Sequence, residues 1–132
     1  KSFSRAASGM VSKPLVKLLS ENHQAHVILM DMNYGRAWAE INRALNESDM
    51  TIIDLNRSAG WLQVDFRSAD ERKPGWFGWF GWFSKNEAPR HTHTVSVTRG
   101  EQGVQVTSET ANNYNGEQTS AKLLSRLFDY LY

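Results

Sequence analysis

Cysteine is absent from the 132 residues, so disulfides and thiol chemistry are excluded. Disulfide-free periplasmic domains are common, and the compartment stays open on that ground. There is no excess of either charge. Lys and Arg number 15 against 14 Asp and Glu, a net charge of +1, whereas a nucleic-acid surface carries a clustered basic excess. No apolar run approaches the roughly twenty residues that a membrane helix needs, and no signal peptide is visible. Nucleophile elbows, P-loops and dinucleotide fingerprints are missing too. What remains is the length and composition of one domain with one core. The chain begins at Lys1 rather than Met, which reads as a fragment or processed form with room for an anchor upstream.

The clearest pattern that is present covers residues 31–66. Tyr34, Ala37, Trp38, Ile41, Ala44 and Leu45 recur at helical steps, which predicts a helix with one apolar face, and Asn33 stands ready to cap its first turn. After a break at 46–49, residues 50–55 are rich in β-branched side chains. In 60–66 the alternation is strict, with Leu62, Val64 and Phe66 on one face and Gln63 and Asp65 on the other. The short Arg57-Ser58-Ala59-Gly60 stretch supplies a glycine for a hairpin between these strands. Trp61 falls on the face opposite Leu62, Val64 and Phe66.

Around this unit, residues 1–24 read as a linker or tail, with a possible short helix over 14–19 that has Pro14 in its first turn. The domain proper is expected over 25–132. Residues 25–30 form its first strand, apolar on both faces. Strands over 90–99 and 104–110 follow, joined by a turn at 100–103. A closing helix over about 117–130 carries Ala121, Leu124, Leu127, Phe128 and Leu131 as its stripe, widened by Leu123 and Tyr130. The expected class is α+β in the order β-α-β-β-β-β-α. An antiparallel sheet of about five strands then has both helices on one face, and its core includes Trp38, Ile41, Leu45, Leu62, Val64, Phe66, Leu124, Leu127 and Phe128. Residues 68–89 are a long loop with no regular period.

Ala37-Trp38 at the start of the helix, then Asp54, Arg57-Ser58 and Gly60 in the pattern D-x-x-R-S-x-G, then the alternating strand, resemble the BamC (NlpB) family of outer-membrane assembly lipoproteins. The segment His26-Val27-Ile28-Leu29 and the closing helix fit the same pattern, so the resemblance runs from about Ala25 to the end. It implies a helix-grip domain, the C-terminal one of that family, because the chain stops at the closing helix. It also implies a Gram-negative outer-membrane location, with the domain in the periplasm or at the cell surface, and partners among the protein subunits of the assembly complex. Membrane association would come from an upstream lipid anchor, since the family's lipid-bearing cysteine has no counterpart here.

Each chemical candidate competes with a plainer reading. His91 and His93 alternate on a strand and so share a face, but no third ligand has suitable spacing for a metal. His23 and His26 lie where a helix end runs into a strand. The carboxylates Asp54, Asp65, Glu101 and Glu109 form no recognisable pair. No catalytic residue, metal or cofactor is therefore assigned. Arg57-Ser58 suits an anion, yet Asp54 and Ser58 more readily satisfy turn backbone groups. The exception is a threefold Gly-Trp-Phe repeat over 75–83. Glycine at every third position gives no stripe for a core to use, so Trp76, Phe77, Trp79, Phe80, Trp82 and Phe83 are the candidate contact residues for a protein partner or a membrane interface. The competing reading folds this loop back over the open sheet face.

The functional expectation is a non-enzymatic interaction domain, an accessory subunit of the β-barrel assembly machinery. Two rivals stand beside it: a helix-grip domain that holds an apolar small molecule under the closing helix, and a peripheral membrane module that inserts the aromatic loop. The bulky Leu124, Leu127 and Phe128 favour a filled core over a ligand cavity.

Overall fold

The computed structural model describes residues 15–68, 71 and 89–131. The elements are β1 (Val16–Glu21), β2 (Gln24–Met30), α1 (Tyr34–Glu47), β3 (Thr51–Asn56), β4 (Trp61–Asp65), β5 (His93–Gly100), β6 (Gly103–Thr110) and α2 (Ser120–Tyr130). The strands form one six-stranded sheet in the order β1-β2-β6-β5-β4-β3, antiparallel throughout. The α+β class and the β-α-β-β-β-β-α succession from β2 onward are as expected, and β1 adds one strand.

That extra strand corrects the reading of residues 14–24. Where the pattern suggests a short helix and tail, Val16–Glu21 pairs along β2 and forms an edge of the sheet. Val16 opposite Met30 and Leu18 opposite Ile28 extend the apolar layer. The connection is a two-residue turn in which Asn22 and His23 both have positive φ, 54° and 66°. Such a turn matches the twist of paired strands, and it is built here without the glycine that normally betrays it.

The helix α1 forms because its apolar positions make one stripe and its first turn is capped. Asn33 Oδ1 accepts the Arg36 amide at 2.8 Å, and Ala37, Trp38, Ile41, Ala44 and Leu45 are buried. The closing helix starts later than the hydrophobic pattern suggests, because Thr119 caps it by accepting the Lys122 amide. Its fully buried stripe is Leu123, Leu124, Leu127 and Leu131. Phe128 lies one position off that line and packs only partly buried at the rim of the core.

Both helices cover the face formed by Ile28, Met30, Leu62, Val64, Val95, Val97, Val104 and Val106, all 2 % exposed or less. Each such side chain contributes about 1.5–3 kcal/mol by leaving water. The β3–β4 turn fixes the register of this layer. Gly60 has φ +81°, and a Cβ there would collide with the Val97 carbonyl. The Asn56 side chain closes the turn by accepting the Ala59 amide at 2.9 Å; Asp54 instead accepts the amide of Leu55.

Candidate functional site

The six aromatic residues singled out by the repeat, Trp76, Phe77, Trp79, Phe80, Trp82 and Phe83, lie outside the described residues. What the structure describes is the stem from which that segment departs and to which it returns. The outgoing side is Asp65 to Ser68 with Glu71, and the returning side is Pro89 to His93. These residues form a polar network at the end of β4 and β5, where a sheet of apolar layers would otherwise stop.

At its centre is a buried ion pair. Asp65 and Arg67 are each 6 % exposed. The guanidinium forks onto the carboxylate, with Nε to Oδ1 at 3.0 Å and Nη2 to Oδ2 at 2.8 Å. Two amides complete the acceptor, Arg67 N at 3.2 Å and Arg90 N at 3.1 Å. Burial alone would raise the Asp65 pKa, but the Arg67 guanidinium and the Arg90 amide outweigh it and hold the carboxyl below its ordinary range. The Asp65–Arg90 contact joins the outgoing chain to the returning one across 25 positions of sequence.

A second set of contacts runs from the stem to the loop before α2. Thr92 Oγ1 accepts the Phe66 amide at 2.8 Å and lies 2.7 Å from His93 Nδ1. His93 is fully buried and donates from Nε2 to the Gln118 carbonyl at 2.9 Å, with the rings of Phe66 and Tyr114 against it at 5.5 and 5.2 Å. Burial pushes the His93 pKa below its usual value, against the pull of the Gln118 carbonyl. Tyr114 donates to both Glu71 oxygens, at 2.9 and 3.0 Å, and accepts the Gln118 amide at 3.0 Å. Glu71 also accepts the Ser68 amide, and its own amide donates to Ser68 Oγ. Burial would raise the Glu71 carboxyl, but these bonds hold it low. Gly116 makes the approach possible, since a Cβ there would strike the Glu71 carboxylate and the Tyr114 hydroxyl.

The other candidates separate. His93 faces the core, whereas His91 Nε2 meets Thr94 Oγ1 at 2.8 Å, and Thr94 alternates with the buried His93 and Val95 on the opposite sheet face. The expectation that the two imidazoles share a face is therefore corrected: the regular strand begins only at His93. His23 sits in the β1–β2 turn, and His26 is the extra residue where the β1–β2 register shifts. Among the described residues no group of His, Cys, Asp or Glu is arranged to hold a metal ion. Asp65 is committed to Arg67, and Asp54, Glu101 and Glu109 are exposed. No described helix is long and apolar enough to cross a membrane. Trp38 is 8 % exposed, Phe66 6 %, and Ile41, Leu45, Leu62, Val64, Leu124 and Leu127 at most 1 %. These side chains fill the space between sheet and helices.

Sequence reasoning missed Arg67, Glu71, Thr92, Tyr114 and Gly116. The partners are far apart in the chain, 43 positions for Glu71 and Tyr114, and no periodicity links them.

The comparison with curated proteins gives no match. A family model does match, over residues 16–131, which takes in every strand and both helices described above. The chain belongs to the family described as outer membrane protein assembly factor BamC-like C-terminal domain.

Proposed function

We propose that this chain is a non-enzymatic interaction domain, an accessory subunit of the β-barrel assembly machinery, and that it docks protein subunits of that complex through the Gly-Trp-Phe repeat. Family membership supplies the role in outer membrane protein assembly. The observation that carries the docking reading is the stem. Both ends of the aromatic segment are tied down by a buried ion pair and by the His93–Tyr114–Glu71 contacts. A passive linker has no need of such an investment in buried polar groups, each of which costs desolvation. Six large aromatics offer on the order of 1,000 Å² of contact at about 150–250 Å² each, and Trp dominates binding hot spots. The lipid anchor belongs upstream of this chain and holds the domain at the outer membrane.

The small-molecule reading is less favoured, because Leu123, Leu124 and Leu127 fill the interface between α2 and the sheet. The test is affinity capture from detergent-solubilised envelope with the parent chain and with Trp76, Trp79 and Trp82 replaced together by Ser. Assembly-complex subunits should be captured by the parent and lost from the variant, while the melting temperature stays within a few degrees. A collapsed melt would make the segment a lid on the core. Unchanged capture would refute the docking role. Recruitment of the parent alone to protein-free liposomes would favour membrane contact.

A further inference from the structure

The arginines of this fold divide into two kinds. Arg43 is paired with Glu40 and Glu47, and Arg67 with Asp65. Arg36, Arg57 and Arg99 are exposed, and no ion pair or side-chain hydrogen bond engages their guanidinium groups among the described residues. They come from α1, the β3–β4 turn and the end of β5, yet two of them are brought to one place by Tyr34. The Tyr34 hydroxyl donates to the Arg57 carbonyl at 2.8 Å. The Arg99 guanidinium carbon stands 4.2 Å from the centroid of the same ring. The Arg57 guanidinium lies against the next residue, where a Cβ on Gly35 would stand 3.0 Å from its Nη2. Arg36 follows in the same turn.

This placement has an electrostatic cost. The start of a helix is its positive end and favours anions, but the first turn of α1 has no acidic residue. Asp31 and Glu101 lie on the adjoining segments, exposed and without an ion pair to these arginines. Cations have been gathered here, and among the described residues no carboxylate forms an ion pair with them. Tyr34 holds one guanidinium over its ring and tethers the backbone of the other, so both are partly positioned. Guanidinium forks match the tetrahedral oxygens of phosphate better than a point charge does.

We infer that the Tyr34 end of the domain, with Arg57 and Arg99 as its binding groups, is a phosphate-binding patch. The phosphate comes either from an anionic lipid headgroup or from free phosphate in solution. The inference does not depend on the Gly-Trp-Phe segment or its partners.

The test uses the isotope-labelled full chain and two probes: inorganic phosphate at constant ionic strength against chloride, and vesicles of phosphatidylcholine with and without phosphatidylglycerol. Phosphate should shift the Gly35 amide and the Arg57 and Arg99 Nε signals saturably. If the lipid is the source, anionic vesicles should bind the chain, and Arg57→Gln with Arg99→Gln should weaken that binding by roughly twenty-five-fold, at about fivefold per arginine near an anionic surface. Arg43→Gln, which removes one such charge away from the patch, should leave it nearly unaltered. Localised phosphate shifts without vesicle binding identify free phosphate. Arg57→Lys with Arg99→Lys keeps the charge and the fold but loses the forks, and it should bind either probe less well than the parent. Absent or scattered phosphate shifts, or equal losses in the Arg43 and double variants, overturn the inference.

Discussion

Arg67→Met is the sharpest perturbation of the stem. Methionine keeps an unbranched stem to pack in place of the arginine's but removes the fork onto Asp65. The carboxylate left behind is 6 % exposed; it keeps the Arg67 and Arg90 amides it already held but loses both charged bonds. Removing one partner of a buried pair costs about 3–5 kcal/mol, out of about 5–15 kcal/mol for a whole domain. At roughly 4 °C per kcal/mol for a domain of this size, the melt should fall by about 12–20 °C. The loss should also depend on pH in a particular sense. In the parent, Asp65 has its pKa lowered, so its contribution is complete above the unfolded value near 3.9 and is lost as pH falls through the folded value. In the variant, burial acts on Asp65 without the opposing guanidinium, and the carboxyl takes up a proton more readily. The gap between parent and variant should therefore narrow as pH falls toward 4. Adding Asp65→Asn to Arg67→Met removes the stranded charge but keeps an acceptor for the Arg90 amide, and it should recover part of the loss. Thermal melts by circular dichroism between pH 4 and 7 read all of this. A single variant that melts within 3 °C of the parent, at roughly 1 kcal/mol or less, would refute the assignment of the pair as the anchor of the stem.

Two further outcomes follow from the same geometry. Trp38→Ala should cost about 3–5 kcal/mol, whereas Phe128→Ala, at the partly buried rim, should cost roughly half as much; denaturant midpoints measure both, and equal losses would put Phe128 back in the centre of the core. His93 has its pKa lowered by burial, so its neutral form stabilises the fold above the unfolded pKa of about 6.5, and that contribution is lost as pH drops from there through the folded value. Tyr114 packs against it, and the charges of Asp65, Glu71 and His91 act on it from a distance; the two carboxylates stay charged through this window because their own pKa values are held low. Urea midpoints at pH 7, 6 and 5 should fall more steeply for the parent than for His93→Gln, and parallel slopes would show that His93 does not set the acid limit.

Legibility from the sequence followed the range of the forces involved. The stripe of α1 and the alternation of β4 are local patterns, and each is visible because neighbours three or two positions apart must face one core. Gly60 was legible for a related reason: a turn that brings backbone against the Val97 carbonyl excludes any Cβ, and glycine is the local mark of that exclusion. The first strand was not legible, because Asn22 and His23 adopt the left-handed turn without glycine and Pro14 imitates a helix start. Its strand character comes from Met30 and Ile28 opposite it, and those contacts are not written within Val16–Glu21. The stem lies at the far end of this scale. Glu71 is one carboxylate in a charged run, and Tyr114 one aromatic in a polar break; only the antiparallel pairing of β5 with β4 and β6 brings their segments together. Gly116 shows how the two levels meet. In the sequence it marks another polar turn, but in the fold its missing Cβ is the space that the Glu71 carboxylate occupies. A substitution there would act on the stem of the aromatic segment, although it lies 45 positions further along the chain.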